Sequence, residues 1–316
     1  MKTFPDPNGQ RYYTINQFYR QRFGEKVYKI SVSTAYTCPN RDANGHGCIF
    51  CDEWGSAGVH RTKDLPLEEQ INQNRAYLTR RYRVKKFLVY FQAFSNTYTR
   101  ISELESHMAL AMSQSQVDGI IIGTRPDCLP PEVMELFSRF SKQSFVSVEL
   151  GVQCFDDDKL AFLKRGHTSE QSILAIQQLR KLTNVHIGIH LIFGLPHETT
   201  DDIIRTARII NELPVDSVKL HNLHVLGNTP LEDEYRQGRF QPLDLETYAD
   251  RVILFLEHLS PDIPIQRLAA YAAHDSNLVA PEWTGDRQGP LLYIQKQMDE
   301  RNTCQGFHWT ESNKDN

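Results

Sequence analysis

Cys38-Pro39-Asn40-Arg41-Asp42-Ala43-Asn44-Gly45-His46-Gly47-Cys48-Ile49-Phe50-Cys51 holds three of the chain's six cysteines in one Gly- and Asn-rich loop. It follows an apolar, β-branched run, Val27 to Thr37. Such a loop can wrap round a metal site and point three thiolates inward. Three thiolates rather than four suggest a [4Fe–4S] cluster with one iron left open to a substrate or cofactor, its potential set by its surroundings. Zinc is the rival, with His46 completing a Cys₃His set. The Cys48-x2-Cys51 half serves both readings, but zinc sites usually repeat the knuckle, and no second Cys-x2-Cys occurs. Inert thiols are the third reading.

Working outward, β-like runs alternate with helical patterns. The expected strands are Val27–Thr37, Phe87–Gln92, Gly119–Gly123, Phe145–Gln153, His186–Phe193 and Ser217–Val225. Leu67, Ile71, Leu78 and Tyr82 mark a helix face, and further helices are expected over Ile101–Ser113, Pro131–Phe140, Ser169–Leu182 and Thr200–Leu213. Thr200 and Asp201 are candidate caps for the last of these. Six β-then-α units in a row predict a parallel sheet, and near-continuous apolar strands fit burial on both faces. The fold class is therefore α/β, and an open (β/α)₆ partial barrel fits the unit count. The expected division is an N-terminal extension over 1–25, a core over 26–230 and a C-terminal extension over 231–316. Within that extension, Leu245–Leu259 is an amphipathic helix, Ile265–Ala270 a candidate extra strand and Leu291–Arg301 a last helix. The tail from Thr310 reads as disordered. Polar punctuation collects just after strands: the cysteine loop, Thr124-Arg125-Pro126-Asp127, Gln153 and Gly194-Leu195-Pro196. In parallel α/β folds the carboxyl ends of strands carry the chemistry, so these segments converge on one mouth.

Bulk composition narrows the classes. The length of 316 residues fits one large domain or two ordinary ones, and the 40% hydrophobic content supports a sizeable core. No apolar run approaches the roughly 18 residues of a membrane span. The polar start, Met1 to Asn8, holds two prolines and does not read as a secretory signal. A cytoplasmic, reducing location follows as the default, where cysteines serve metals or catalysis more often than disulfides. The net charge of −4, from 35 basic and 39 acidic residues, gives no global field for nucleic acid. Locally, Arg75, Arg80, Arg81, Arg83, Lys85 and Lys86 crowd together with Tyr77 and Tyr82 among them. That stretch is either a phosphate-tracking stripe or a solvated helix face.

With the preceding strand added, the loop resembles that of the radical SAM superfamily. Nine residues rather than three separate its first two cysteines, a spacing of particular subfamilies such as the branch around the catalytic subunit of elongator. Glu149-Leu150-Gly151-Val152-Gln153, Arg165-Gly166-His167-Thr168 and Gly194-Leu195-Pro196 stand in the same order and context there. Phe91-Gln92-Ala93-Phe94 and Gly123-Thr124-Arg125-Pro126-Asp127-Cys128 resemble stretches of small stand-alone bacterial members of that branch. The resemblance covers about residues 25 to 230, without room for elongator's acetyltransferase domain.

The resemblance implies an enzyme that reductively cleaves S-adenosylmethionine. Cys38, Cys48 and Cys51 would hold three irons, and S-adenosylmethionine would chelate the fourth. Phe50 would pack near the adenine. Gln92 and Ala93 sit where the family usually has a Gly-Gly-Glu-like segment touching the amino group. Thr124, Glu149 and Gln153 would face the cofactor, Arg165 would pair with its carboxylate, and His190 would reach the ribose. An electron donor such as flavodoxin or ferredoxin is expected. tRNA is a candidate partner, because the branch works on the wobble uridine and bacterial relatives process carboxymethylaminomethyl uridine towards aminomethyl uridine. A small metabolite is the alternative substrate, and a zinc-stabilised binding module the alternative class. Each residue also has a structural reading. Glu149 could pair with Arg125, Arg165 could be a helix-end ion pair, and His190 a satisfied core histidine. Cys128 reads as buried or as a hydrogen-atom donor, and Cys154 and Cys304 as structural. His221, His224, Arg267 and Tyr271 are candidates for the cavity rim.

Overall fold

The computed structural model describes residues 2–34, 37–41, 47–52, 55, 62, 64–272 and 277–310. Six strands pair in chain order, all parallel: β1 (Val27–Val32), β2 (Lys86–Phe91), β3 (Val117–Thr124), β4 (Phe145–Gln153), β5 (His186–Phe193) and β6 (Ser217–Asn222). The chain then forms the short β7 (Val225–Leu226), β8 (Ile265–Arg267), which adds a seventh parallel strand beside β6, and β9 (Leu278–Ala280), antiparallel to β7. The main sheet curls into an open half-barrel with order β1-β2-β3-β4-β5-β6-β8.

Ten helices accompany the strands among the described residues: α1 (Ile15–Phe23), α2 (Leu67–Tyr82), α3 (Ile101–Ser113), α4 (Pro131–Ser141), α5 (Asp157–Phe162), α6 (Ser169–Leu182), α7 (Thr200–Glu212), α8 (Pro230–Arg236), α9 (Leu245–His258) and α10 (Gly289–Glu300). Period-2 alternation decides what the strands show to each side. On β2, Phe87, Val89 and Phe91 face the helix layer, in the cluster that holds Ile71 of α2 and Met108 of α3. Leu88 and Tyr90 face the other way, into the half-barrel.

The N-terminal extension plugs the barrel's lower end. Ile15 and Tyr19 of α1 are buried with Leu88, Tyr90, Ile121 and Phe145, and Tyr19 and Phe23 meet the Phe145 ring edge-on at 6.3 and 5.4 Å. The amide of Ile265 donates to the Tyr13 carbonyl at 2.7 Å, tying this segment to β8. A Thr14–Gln17 capping box starts α1, and Gly24 ends it at φ +78°. Among the described residues the inner face is thus covered at its lower end, and the carboxyl ends of the strands lie at the other.

Several expected boundaries move. β1 ends at Val32, because the Gln70 side chain takes over there: its amide accepts from the Ser33 N–H at 2.9 Å and donates to the Ser33 carbonyl at 3.0 Å. The cap of α7 is Thr199, one residue before the candidates, through a Thr199–Asp202 capping box. β6 ends at Asn222, whose side chain holds the Ala270 amide and Thr284 and turns the chain out of the sheet. Residues 311–316, read as disordered tail, lie outside the described residues.

Candidate active site

A cavity of about 240 Å³ opens at the carboxyl ends of the strands. Phe50, Gln92, Ala93, Thr124, Glu149, Gln153, Arg165, His190 and the three cysteines Cys38, Cys48 and Cys51 all line it. Ala93, Phe94 and Gln153, at the ends of β2 and β4, carry φ of +68°, +56° and +72°. Left-handed backbone at non-glycine residues is strained and collects at functional sites.

Nitrogen donors surround the sulfurs. Arg165 Nη1 donates to Cys48 Sγ at 3.1 Å and Asn40 Nδ2 to the same sulfur at 3.3 Å. Arg41 Nη2 donates to Cys51 Sγ at 3.7 Å, and Arg125 Nη1 to Cys38 Sγ at 3.8 Å. One guanidinium faces each cysteine, which fits anionic sulfur in a thiolate-ligated cluster. Arg165 Nη2 is fixed by the Gly151 carbonyl at 2.8 Å, while its buried Nε has no partner, leaving a donor for a bound acceptor. Burial, then the charge of Cys48, pushes the Cys51 thiol up to about 11, so ligation there must release a proton.

The floor is a buried charge network. Glu149, 1% exposed, accepts from Lys29 Nζ at 2.8 Å, from Lys219 Nζ at 3.2 Å, and sits 2.7 Å from His190 Nε2. Burial opposes its charge, but Lys219 and Lys29 hold its carboxyl well below the usual range. Burial lowers Lys219 to about 8 and His190 to about 4. Lys219 also reaches Tyr90 Oη at 3.1 Å, and Lys29 reaches Gln266 Oε1 at 2.6 Å across the gap between β1 and β8. Gly188 leaves room for this layer: a Cβ there would stand 2.8 Å from Gln266 Nε2 and 3.2 Å from Glu149 Cγ.

Comparison with known proteins decides the family. The family model described as "Radical SAM superfamily" matches residues 32–210, and the one described as "Radical_SAM C-terminal domain" matches 215–300. The chain belongs to the radical SAM superfamily. It is an enzyme of that superfamily, whose cofactors are a [4Fe–4S] cluster and S-adenosylmethionine and whose chemistry needs a reductant. YtqA, an uncharacterized protein of Bacillus subtilis, is 32% identical over 309 residues, covering 96% of this chain and 94% of that protein. A tRNA uridine(34) acetyltransferase of Methanocaldococcus jannaschii is 30% identical over 166 residues, covering 51% of this chain but only 28% of that protein. Among solved structures, the archaeal Elp3 of Methanocaldococcus infernus superposes with TM-score 0.67 at 17% identity, over 88% of this chain and 64% of that one; the likeness is one of fold. The chain is thus similar to an archaeal Elp3 in fold and to a tRNA uridine(34) acetyltransferase over about half of its length.

Several alternatives for single residues are overturned. Glu149 does not pair with Arg125; Arg125 holds Asp127 at 2.7 and 2.8 Å, because that carboxylate is two residues away in the same turn. Arg165 is no helix-end ion pair: it turns inward to Cys48 and Gly151. His190 is bonded to Glu149 but lines the cavity rather than the core. Of the rim candidates, His221, His224 and Arg267 line the cavity, while Tyr271, 42% exposed, does not. Asp127 and Cys128 line a neighbouring groove with Pro39 and Thr97. His46, the fourth ligand of the zinc reading, lies outside the described residues.

The basic stretch from Arg75 to Lys86 lies at the far end of the barrel. It runs along α2 to the start of β2, where Lys86 meets Asp118 at 3.6 Å and the Phe23 carbonyl at 3.1 Å. Lys29, Lys219 and Tyr90 were missed from sequence. The available signal was a cation at an inward position of an apolar strand, in Val27-Tyr28-Lys29-Ile30-Ser31-Val32 and Ser217-Val218-Lys219-Leu220.

No helix among the described residues is long and apolar enough to cross a membrane.

Proposed function

We propose that this enzyme acts on a tRNA wobble uridine, converting its 5-carboxymethylaminomethyl group to aminomethyl. The observation that carries this reading is the cavity itself: three cysteines at the lip and a floor where Lys219 and Arg267 line the space beside the single carboxylate of Glu149, which Lys29 also meets. Such a floor suits a substrate that brings its own negative charge. The uridine assignment draws on the elongator-like branch and on the relative whose name specifies tRNA uridine 34.

Within this reading Cys38, Cys48 and Cys51 would hold three irons, and Arg125, Arg165 and Arg41 would offset the thiolate charge. Phe50 would pack on the adenine, and Gln92, Ala93, Thr124 and Gln153, which line the cavity, would face the methionine and ribose. His190 is held by Glu149 in one orientation, neutral at pH 7 because burial lowers it to about 4. When bound, the cluster and S-adenosylmethionine supply an electron and a 5′-deoxyadenosyl radical that takes hydrogen from carbon. The hydrogen would come from the methylene between the substrate's nitrogen and carboxylate, where both neighbours stabilise the carbon left behind; loss of one further electron from that carbon, returned to the oxidised cluster, would give an imine, and water would hydrolyse its carbon–nitrogen bond to release aminomethyluridine and glyoxylate. α1 and the apolar lower barrel close the end of the barrel beneath the charged floor. A flavodoxin or ferredoxin in a reducing cytoplasm is the electron source.

A second reading, a small anionic metabolite, is favoured by one observation: the basic stretch from Arg75 to Lys86 does not border the cavity. The deciding experiment incubates anaerobically reconstituted protein with reductant, S-adenosylmethionine and tRNA carrying 5-carboxymethylaminomethyluridine, then profiles nucleosides by mass spectrometry. Aminomethyluridine is expected. An unaltered profile while S-adenosylmethionine is being cleaved would reject the tRNA reading.

A further inference from the structure

We infer that Arg267, with Lys219 and His221 beside it, is a receptor for a carboxylate of the substrate, set across the cavity from the cysteine loop. Arg267 and Lys219 are register partners on β8 and β6, so their side chains share a face of the sheet, and His221 follows two residues on along the same face. All three line the cavity. Arg267 lies against the imidazole, its Nη2 at 2.6 and 2.7 Å from the two ring nitrogens of His221, and its Nε donates to the Leu220 carbonyl at 3.4 Å. Among the described residues no carboxylate forms an ion pair with it.

A charge count supports the same conclusion. Glu149 is the one acidic residue among the described residues lining the cavity, and it is engaged by Lys29, Lys219 and His190. The histidines do not alter the count, since burial lowers His190 and His224 to about 4 and burial together with Arg267 lowers His221 well below its ordinary value. Arg41, Arg125 and Arg165 face the cysteine sulfurs, and beyond them Lys219 and Arg267 line the cavity beside the single carboxylate of Glu149, an excess of positive charge inside a half-buried space. Uncompensated charge in such a place is costly, and a substrate anion would offset it.

Side-chain contacts distinguish this anion from the cofactor's own carboxylate: Arg41, Arg125 and Arg165 are engaged with the cysteine sulfurs, whereas Arg267 lies against His221. The cysteine loop follows β1, at one edge of the sheet, and Arg267 stands on β8, at the other. The planar guanidinium selects a planar carboxylate, which it can meet with two parallel hydrogen bonds. On the substrate reading proposed above, on which this identification of the ligand rests, the anion is the terminal carboxylate of the carboxymethylaminomethyl group. Holding it would present the adjacent methylene towards the cysteine side.

The test uses the reconstituted full chain saturated with S-adenosylmethionine and three probes: 5-carboxymethylaminomethyluridine, 5-aminomethyluridine and the simple carboxylate N-methylglycine. Calorimetry is run on the parent protein, Arg267→Gln and Arg267→Lys. The expected result is a parent preference for the carboxylate-bearing nucleoside that falls by roughly 10- to 100-fold in Arg267→Gln and is partly restored by lysine. The affinity for S-adenosylmethionine should stay level across the three proteins, which also verifies folding. A preference that survives Arg267→Gln would overturn the receptor while leaving the uridine substrate standing. Arg267-dependent binding of N-methylglycine with neither nucleoside bound would support the receptor and remove the uridine substrate. Loss of S-adenosylmethionine affinity in Arg267→Gln with an unchanged circular dichroism spectrum would make Arg267 a cofactor residue and overturn the inference.

Discussion

Replacing Glu149 with Gln tests the buried floor most sharply. The side chain keeps its shape, but the charge between Lys29 at 2.8 Å and Lys219 at 3.2 Å is gone. Those cations are 24% and 13% exposed, so solvent screens them little. Breaking a buried pair by removing one partner costs about 3–5 kcal/mol. With an unfolding entropy of about 2.1 cal/mol/K per residue, a chain of 316 residues should lose about 5–8 °C in Tm. The deficit should depend on pH. Glu149 is what raises Lys219 against the desolvation that brings it to about 8, so without it Lys219 loses its proton at a lower pH. Folded parent protein then binds the extra proton between the two values, and the stability gap narrows as pH rises towards 8. Adding Lys219→Met removes a stranded cation and should recover part of the loss. Thermal and urea melts followed by circular dichroism provide the assay. A Tm within 1 °C of the parent, or a double variant no better than the single one, would refute the description of the floor as a mutually neutralising network.

Alanine at Cys38, Cys48 or Cys51 should abolish iron and sulfide retention after anaerobic reconstitution, while alanine at Cys128, Cys154 or Cys304 should preserve it; one dispensable loop cysteine would mean the ligand set is wrong. Arg165→Ala removes a hydrogen bond to Cys48 Sγ, so the cluster's midpoint potential should move to more negative values in a redox titration; S-adenosylmethionine should also bind roughly 10- to 150-fold more weakly. If both quantities hold steady, Arg165 serves only the Gly151 turn. His167, His186, His190 and His224 are lowered by burial to about 4 from 6.5. Stability is therefore complete above pH 6.5 and falls as the pH drops towards 4, by up to about 1.4 kcal/mol per pH unit for each histidine. His186→Phe, among the rings of Phe18 and Phe145, should flatten that acid limb, and an unchanged limb would assign it to other groups.

The half-barrel and its lip were legible because they follow local rules. Alternating periodicities marked β1 to β6 and their helices, with Ile101–Ser113 and Ser169–Leu182 read at the boundaries observed. Residues just after strands converge in any parallel sheet, so the cysteine loop, Thr124 and Gln153 could be placed at one mouth before their contacts were known, while Gln92 and Arg165 came from the family resemblance. The floor was not legible in the same way. Lys29 and Lys219 are single cations in apolar strands, and only the curl that brings β1, β4 and β6 together makes them neighbours of Glu149. α1 read as part of an extension because its plugging role depends on Phe145, more than a hundred residues later. The basic stretch stayed open between two readings for the converse reason: in a β-then-α unit, the helix end nearest the next strand points away from the mouth, which fits the solvated helix face.

Hydrogen abstraction from the carboxylate-bearing substituent is measured directly by deuterium transfer. tRNA whose wobble uridine carries deuterium on the methylene next to the carboxylate is incubated with the reconstituted enzyme, reductant and S-adenosylmethionine, and the 5′-deoxyadenosine is analysed by mass spectrometry. The account predicts singly deuterated 5′-deoxyadenosine that accumulates with aminomethyluridine and is absent from a Cys48→Ala preparation. Unlabelled 5′-deoxyadenosine accompanying product, or product formed without S-adenosylmethionine cleavage, would contradict it.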